Sequence, residues 1–272
     1  MKKTRWQSLT LLLVIALVGV GCASSGGGGG DAAPSAPPAK PDYREEVGDN
    51  GLPTPRAILA RYTEALGGED ALRSHQSSTL KGKFSLAAMG VEGTVTIHAI
   101  APNKTKMVIE TAMGDIASGY DGTTAWSEDP FSGAQVLEGG AAAAAAAQAN
   151  FYGPLGYPDI YASMETIEET EFNGEAAYKL MLVDATGGET KQYFSKESSL
   201  LIGQEAMQDG PTGSVEAKVT LSDYKEFGGV LGAMKTSIDA GGMVIENVIE
   251  TVTHDDVDPA SIVPPDSVTS QL

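Results

Sequence analysis

The chain has 272 residues, 42% hydrophobic and 20% charged, the composition of a globular protein and not of a disordered or fibrous one. Lys2, Lys3 and Arg5 fall within the first 21 residues, so the rest carries 15 basic against 36 acidic side chains, a formal −21. Such a charge repels phosphates and excludes nucleic acid as an expected partner, and the single cysteine excludes an intramolecular disulfide.

Residues 1–21 have the three parts of a secretory signal: the basic start, an apolar run from Leu9 to Val20, and small residues before Cys22. The run is about a dozen residues, against the roughly 20 that a bilayer-spanning helix needs, so it is expected to be removed. Val18-Gly19-Val20-Gly21-Cys22 resembles a bacterial lipobox, with Gly19 where leucine is usual. That resemblance implies a diacylglycerol on the Cys22 thiol and a membrane anchor. Ala23 lacks the aspartate that enterobacterial sorting uses for inner-membrane retention, which implies the outer membrane, facing the periplasm. Residues 22–52 read as a tether. Gly26 to Gly30 is flexible, Pro34, Pro37, Pro38 and Pro41 stiffen the half nearer the domain, and the mean reach is roughly 30 Å.

A folded domain is expected over residues 53–265, with a tail at 266–272. Thr54 and Pro55 open a helix as N-cap and first residue; Ile58, Leu59, Tyr62, Ala65 and Leu66 share one face, and Gly67-Gly68 ends it. From Leu80 onward the chain alternates. Leu80 to Leu86, the Val91-Val95-Ile97 phase, the Val215-Ala217-Val219-Leu221 phase and the Val244-Val248-Val252 phase each read as half-buried strands. Asp121-Gly122 and Asn173-Gly174 are hairpin turns, and the runs between turns number about eleven, all antiparallel. Gly139 to Asn150 is mostly alanine and helical, with Phe151, Tyr152, Leu155, Tyr157, Ile160 and Tyr161 directly after it. Tyr178 to Val183 is apolar in both phases and suggests a strand with core on one side and a lid on the other. The fold class is therefore mainly β within α+β: a curved antiparallel open β-barrel with an N-terminal helix and a mid-chain helical lid. A closed barrel or a two-sheet sandwich fits the strands equally but leaves the helical insert unexplained.

The order of segments resembles the LolA/LolB-like superfamily of lipoprotein carriers and receptors. The resemblance rests on Tyr62 through Gly67-Gly68 to Leu72, Lys81-Gly82, Gly90-Val91-Glu92-Gly93 and Ala101-Pro102-Asn103-Lys104. It continues through Asp121-Gly122 with Trp126, Phe151-Tyr152-Gly153-Pro154-Leu155, Tyr193-Phe194, and Asp223-Tyr224 before Gly228-Gly229-Val230. Ser195 and Gly232-Ala233 depart from it at turn positions. The resemblance implies carrier function, and the helices over the concave face of the sheet are expected to leave an apolar cavity beneath them.

The chain has no Gly-x-Ser-x-Gly elbow, His-Glu-x-x-His helix or calcium-loop spacing, so no catalytic residue, cofactor or metal site is expected. His98 reads as a surface residue, and His254-Asp255-Asp256 with Asp258 as a solvated turn after the last strand. Glu165, Glu168, Glu169 and Glu171 read as charges that protect a sheet edge. Trp126, Phe151, Tyr152, Leu155 and Tyr157 are the candidate ligand contacts, with ordinary core packing as the alternative for each. The expected function is binding or transfer of a hydrophobic ligand, a lipid or a lipoprotein acyl chain, in the cell envelope. The alternative is an envelope interaction or sensor module on the same fold.

Overall fold

A computed structural model describes residues 42–185, 187–210 and 213–271. The signal segment, Cys22 and the tether up to residue 41 lie outside the described residues. The strands are β1 (Ser77–Leu86), β2 (Val91–Ile100), β3 (Lys104–Thr111), β4 (Gly114–Tyr120), β5 (Ala125–Asp129), β6 (Gly133–Val136) and β7 (Tyr161–Phe172). They continue with β8 (Glu175–Asp184), β9 (Glu189–Ser195), β10 (Leu201–Gly210), β11 (Gly213–Phe227), β12 (Val230–Ala240) and β13 (Met243–His254). All belong to one antiparallel sheet in the order β6-β5-β4-β3-β2-β1-β13-β12-β11-β10-β9-β8-β7. Two meanders, β1–β6 and β7–β13, meet where β1 pairs with β13. The edges β6 and β7 are not paired with each other, so the curved sheet stays open.

The strand count is thirteen and not about eleven. β5 and β6 are the short ones, at five and four residues, and Ala-Trp-Ser-Glu-Asp and Gly-Ala-Gln-Val carry too little apolar alternation to announce strands. Their turn is shaped by Asp129, whose Oδ1 accepts the backbone N–H groups of Phe131 and Ser132 at 2.8 Å.

The first helix, α1 (Pro55–Ala65), is capped as its sequence predicts: Thr54 Oγ1 accepts the Ala57 N–H at 3.2 Å. It buries Ala57, Ile58, Leu59 and Tyr62. Gly67, at φ 120°, turns the chain into α2 (Gly68–Arg73). A side chain there would put its Cβ 2.2 Å from the Gly229 carbonyl oxygen, so only glycine lets the helix end approach the β11–β12 turn. The Leu231 N–H then bonds the Leu66 carbonyl at 2.9 Å.

Alternation gives the sheet an inner and an outer face. One inner row runs Thr166, Leu180, Gln192, Gln204, Val219, Ile238, Ile245, Leu86, Val91 across nine strands. Ile58, Leu59, Tyr62 and Leu66 pack into the same cluster, so the N-terminal helix covers this face. In β13 the expected phase holds for Val252, which packs against the core, but it is inverted on the other side of the register shift opposite Lys81 and Gly82. Ile245, Asn247 and Ile249 are buried while Val248 is among the exposed apolar residues, because both phases of this strand carry branched apolar residues and only pairing with β1 and β12 chooses between them. β8 also departs from expectation. Leu180 and Leu182 face the core, Met181 and Val183 lie half-buried on the outer face, and Phe151, Tyr152 and Tyr157 share the inner face with the core.

Edge strand β7 carries Glu165, Glu168, Glu169 and Glu171 and two register shifts, both devices that discourage pairing with another chain. At the other edge the C-terminal segment packs on the outer face through a 3-10 turn (Pro259–Ser261) and α5 (Asp266–Thr269). Lys106 Nζ donates to the Ser261 carbonyl at 3.2 Å and Gln271 Nε2 to the Ala134 carbonyl at 2.9 Å. Ile262 and Val268 are buried beneath it.

Candidate functional site

Between β6 and β7 the chain forms α3 (Gly139–Gln148), a 3-10 turn (Gly153–Gly156) and α4 (Tyr157–Ile160). Alanine propensity makes α3, but methyl groups offer little to bury, and none of its ten residues is buried. The stretch from Phe151 onward is different. Phe151 is fastened by its N–H to the Pro102 carbonyl at 2.9 Å, and Asn150 Oδ1 accepts the Tyr152 N–H at 3.1 Å. The Phe151 and Tyr152 rings meet edge to face at 5.2 Å. Phe151, Tyr152 and Tyr157 are buried in the main core cluster, and Leu155 packs against it half-buried. Four of the five expected contacts are thus brought together on the inner face.

The fifth is not. Trp126 pairs with Gly119, which pairs with Lys106 opposite His98, and all of these lie on the outer face. Gly119 makes room for it, since a Cβ there would stand 2.8 Å from the indole. Trp126 is 0% exposed, and its indole N–H has no acceptor among the described residues. The Lys106 ammonium lies 5.9 Å from its ring centroid. Trp126 therefore lies on the opposite side of the sheet from the aromatic stretch.

The inner face holds polar groups that the sequence did not single out. Tyr157 Oη donates to Gln192 Oε1 at 2.9 Å, and Gln192 Nε2 donates to Gln204 Oε1 at 3.2 Å. Tyr62 lies edge-on to Phe194 at 5.3 Å and hydrogen-bonds Tyr224, which donates to the Leu201 carbonyl at 2.6 Å. Burial pushes the phenols of Tyr62, Tyr157, Tyr161 and Tyr224 above their usual range, so they act as neutral hydrogen-bond donors. Such a lining suits apolar surface with a few polar contacts. Gln192 and Asn247 had one possible signal in the sequence, a polar residue in the apolar phase of a strand, but phase was the uncertain quantity.

The histidines, far apart in sequence, also converge. His75 and His254 stack at 3.9 Å, with His75 held between Asp255 Oδ2 and the Gly228 carbonyl, both at 2.9 Å, and His254 Nδ1 2.9 Å from Ser78 Oγ. Asp255 also accepts the Gln76 and Ser77 N–H groups, and Asp256 accepts from Thr79 and Thr253. These carboxylates are hydrogen-bonded fasteners between the end of β13 and the start of β1. His98, expected at the surface, is half-buried 3.2 Å from Thr79 Oγ1. Burial opposes charge on His75, but its carboxylate and carbonyl partners more than offset this and raise its pKa. Burial, then the neighbouring His75, lowers that of His254.

A cleft of 270 Å³ among the described residues lies elsewhere, between the 48–55 segment and Met164, Glu165 and Thr166 of β7. Asn50 Nδ2 donates to the Thr166 carbonyl across it.

No family model matches the sequence, and no curated protein matches it. Solved structures do match in fold. A LolA superfamily protein from Nitrosomonas europaea aligns at 13% identity and TM-score 0.54, over 77% of this chain and 97% of that one. A DUF1329 family protein from Desulfovibrio piger aligns at 11% identity and TM-score 0.53, over 76% and 96%. A domain from Vibrio parahaemolyticus named for outer membrane lipoprotein sorting aligns at 10% and 0.50, over 75% and 94%. The chain shares the fold of these structures.

Proposed function

We propose that this protein is a lipid-anchored envelope protein that binds or transfers a lipid or lipoprotein acyl chain between the inner face of its sheet and the 139–161 segment. One observation carries the reading: a helix with no buried residue leads into a short aromatic stretch that packs on a mainly apolar face. Lifting that stretch would expose a concave apolar surface of the kind that takes acyl chains. The fold shared with proteins named for lipoprotein sorting supports it. Cys22 is the proposed attachment to the outer membrane, facing the periplasm, and the net negative charge argues against nucleic acid as a partner. Native mass spectrometry of delipidated protein from its own host should show a co-purifying lipid, and a fluorescent fatty acid should bind displaceably. Absence of both would end the carrier reading. Cys22→Ser should abolish palmitate labelling, and unchanged labelling would remove the anchor.

The alternative, an interaction module, is favoured by a separate feature. Met89, Met113 and Phe131 are exposed at the tips of the β1–β2, β3–β4 and β5–β6 hairpins, which the meander brings to one end of the sheet. Replacing all three by serine should leave fatty-acid binding intact on the carrier reading. Loss of envelope cross-links in that variant, with no ligand found, would favour the module.

A further inference from the structure

One polar side chain on the inner face is left unsatisfied by its surroundings. Asn247 sits mid-strand in β13, opposite Phe84 of β1 and Thr236 of β12, with Ile245 and Ile249 flanking it on the same face. It is 2% exposed, and neither its amide oxygen nor its amide nitrogen has a hydrogen-bond partner among the described residues.

A bare buried amide forfeits the hydrogen bonds it made to water, which is why the large majority of buried side-chain polar atoms are paired. The fold is able to pair one. Gln192, on the same face and equally buried, accepts from Tyr157 and donates to Gln204. Leucine has the branching and the heavy-atom count of the asparagine side chain and would suit the largely apolar surroundings of Asn247 better. An amide kept there with donor and acceptor both unused points to a partner that arrives with the ligand.

We propose that Asn247 is the polar anchor of the acyl site, and that it recognises a neutral acyl group carrying both an acceptor and a donor. The acyl C=O would accept from Asn247 Nδ2, and an adjoining N–H or O–H would donate to Asn247 Oδ1. This inference rests on the ligand-binding reading and narrows it. Hydrocarbons offer neither group and simple esters only the acceptor. A carboxylic acid in so apolar a place is held protonated and a primary fatty amide is neutral at any pH; each presents its acceptor and its donor on one side, so either source fits, and neither adds a charge that this acidic protein would repel.

The test uses the folded domain of the delipidated protein, a fluorescent fatty acid as probe, and four competitors of one chain length: the acid, its primary amide, its methyl ester and the alkane. In the wild type the acid, the amide or both should compete about tenfold better than the ester, roughly 1.4 kcal/mol, and the alkane should be weaker still. Which of acid and amide leads identifies the source. In Asn247→Leu the advantage over ester and alkane should collapse, alkane competition should hold or improve, and the thermal midpoint should rise. Equal competition by acid, amide and ester in the wild type would overturn the anchor even if the variant failed to fold. An unchanged ranking in Asn247→Leu would overturn it too, and would assign the empty amide to buried water. Failure of every competitor and of the probe itself would instead remove the underlying acyl-binding reading.

Discussion

Two helices of nearly equal length serve the same core and are held in opposite ways. α1 has eleven residues, a side-chain N-cap, four buried residues and a backbone hydrogen bond from Leu231 to the carbonyl of Leu66 at its C-terminal end. α3 has ten, no side-chain cap bond, seven alanines and no buried residue. A helix of that length is marginal alone even when rich in alanine. α1 exists because burial rewards it, whereas α3 combines propensity with whatever hold the aromatic stretch after it provides. The contrast teaches that a strongly predicted helix need not be a strongly attached one.

The largest effect should come from the anchored helix. Tyr62→Ala removes a buried ring packed on Phe194 and should cost about 3–5 kcal/mol in urea unfolding. A loss near zero would mean that α1, too, is peripheral. The double substitution Phe151→Ala with Leu155→Ala should do less. If residues 139–161 open as a unit, the loss cannot exceed the free energy that holds them shut, and hydrogen exchange should quicken there and nowhere else. A cost matching Tyr62→Ala, with protection lost throughout, would make the stretch plain core. A smaller pair sharpens the comparison directly. Ala60→Gly in α1 and Ala144→Gly in α3 each sacrifice about 1 kcal/mol of helix propensity. The first should lower global stability by that amount; the second should leave the midpoint alone and only accelerate local exchange. Equal shifts would break the distinction.

The smallest effect is pH-dependent and touches only the anchored side, where His75 fastens the start of β1 to the β11–β12 turn; α3 has no ionisable residue. His75 is raised above its ordinary 6.5, so its contribution is complete below that value and fades as pH rises through its folded pKa. His254 is lowered, so its contribution is complete above 6.5 and fades as pH falls through its folded pKa. The joint should therefore be firmest near pH 6.5, with His75 titrating above and His254 below in an NMR titration. The reverse order would show that the stacked pair is differently charged.

Much of the scaffold was legible because its signals are local. The Thr54 cap, the Gly67-Gly68 stop, the alternation of β1 and β2 and the alanine helix each lie within a dozen residues, and each is where its chemistry put it. The aromatic stretch from Phe151 to Tyr157 was legible for the same reason, since neighbours in sequence stay neighbours in a short turn-rich segment. The place of Trp126 was not legible, because its neighbour Gly119 is set by strand pairing and not by spacing.

The amino-acid sequence by itself determined the class of this protein: an acidic chain of antiparallel strands with two helical interruptions, written in propensity, turn chemistry and binary pattern. Only the tertiary structure decided which face each strand buries. A strand such as β13, branched and apolar in both phases, has no preferred side until β1 and β12 pair with it. That choice put Ile245, Asn247 and Ile249 inside and Val248 outside, brought His75 and His254 together from opposite ends of the domain, and made an inconspicuous asparagine an unsatisfied group on the inner face. Long-range pairing carries no local signature, because its free energy is gained only when residues distant in sequence meet.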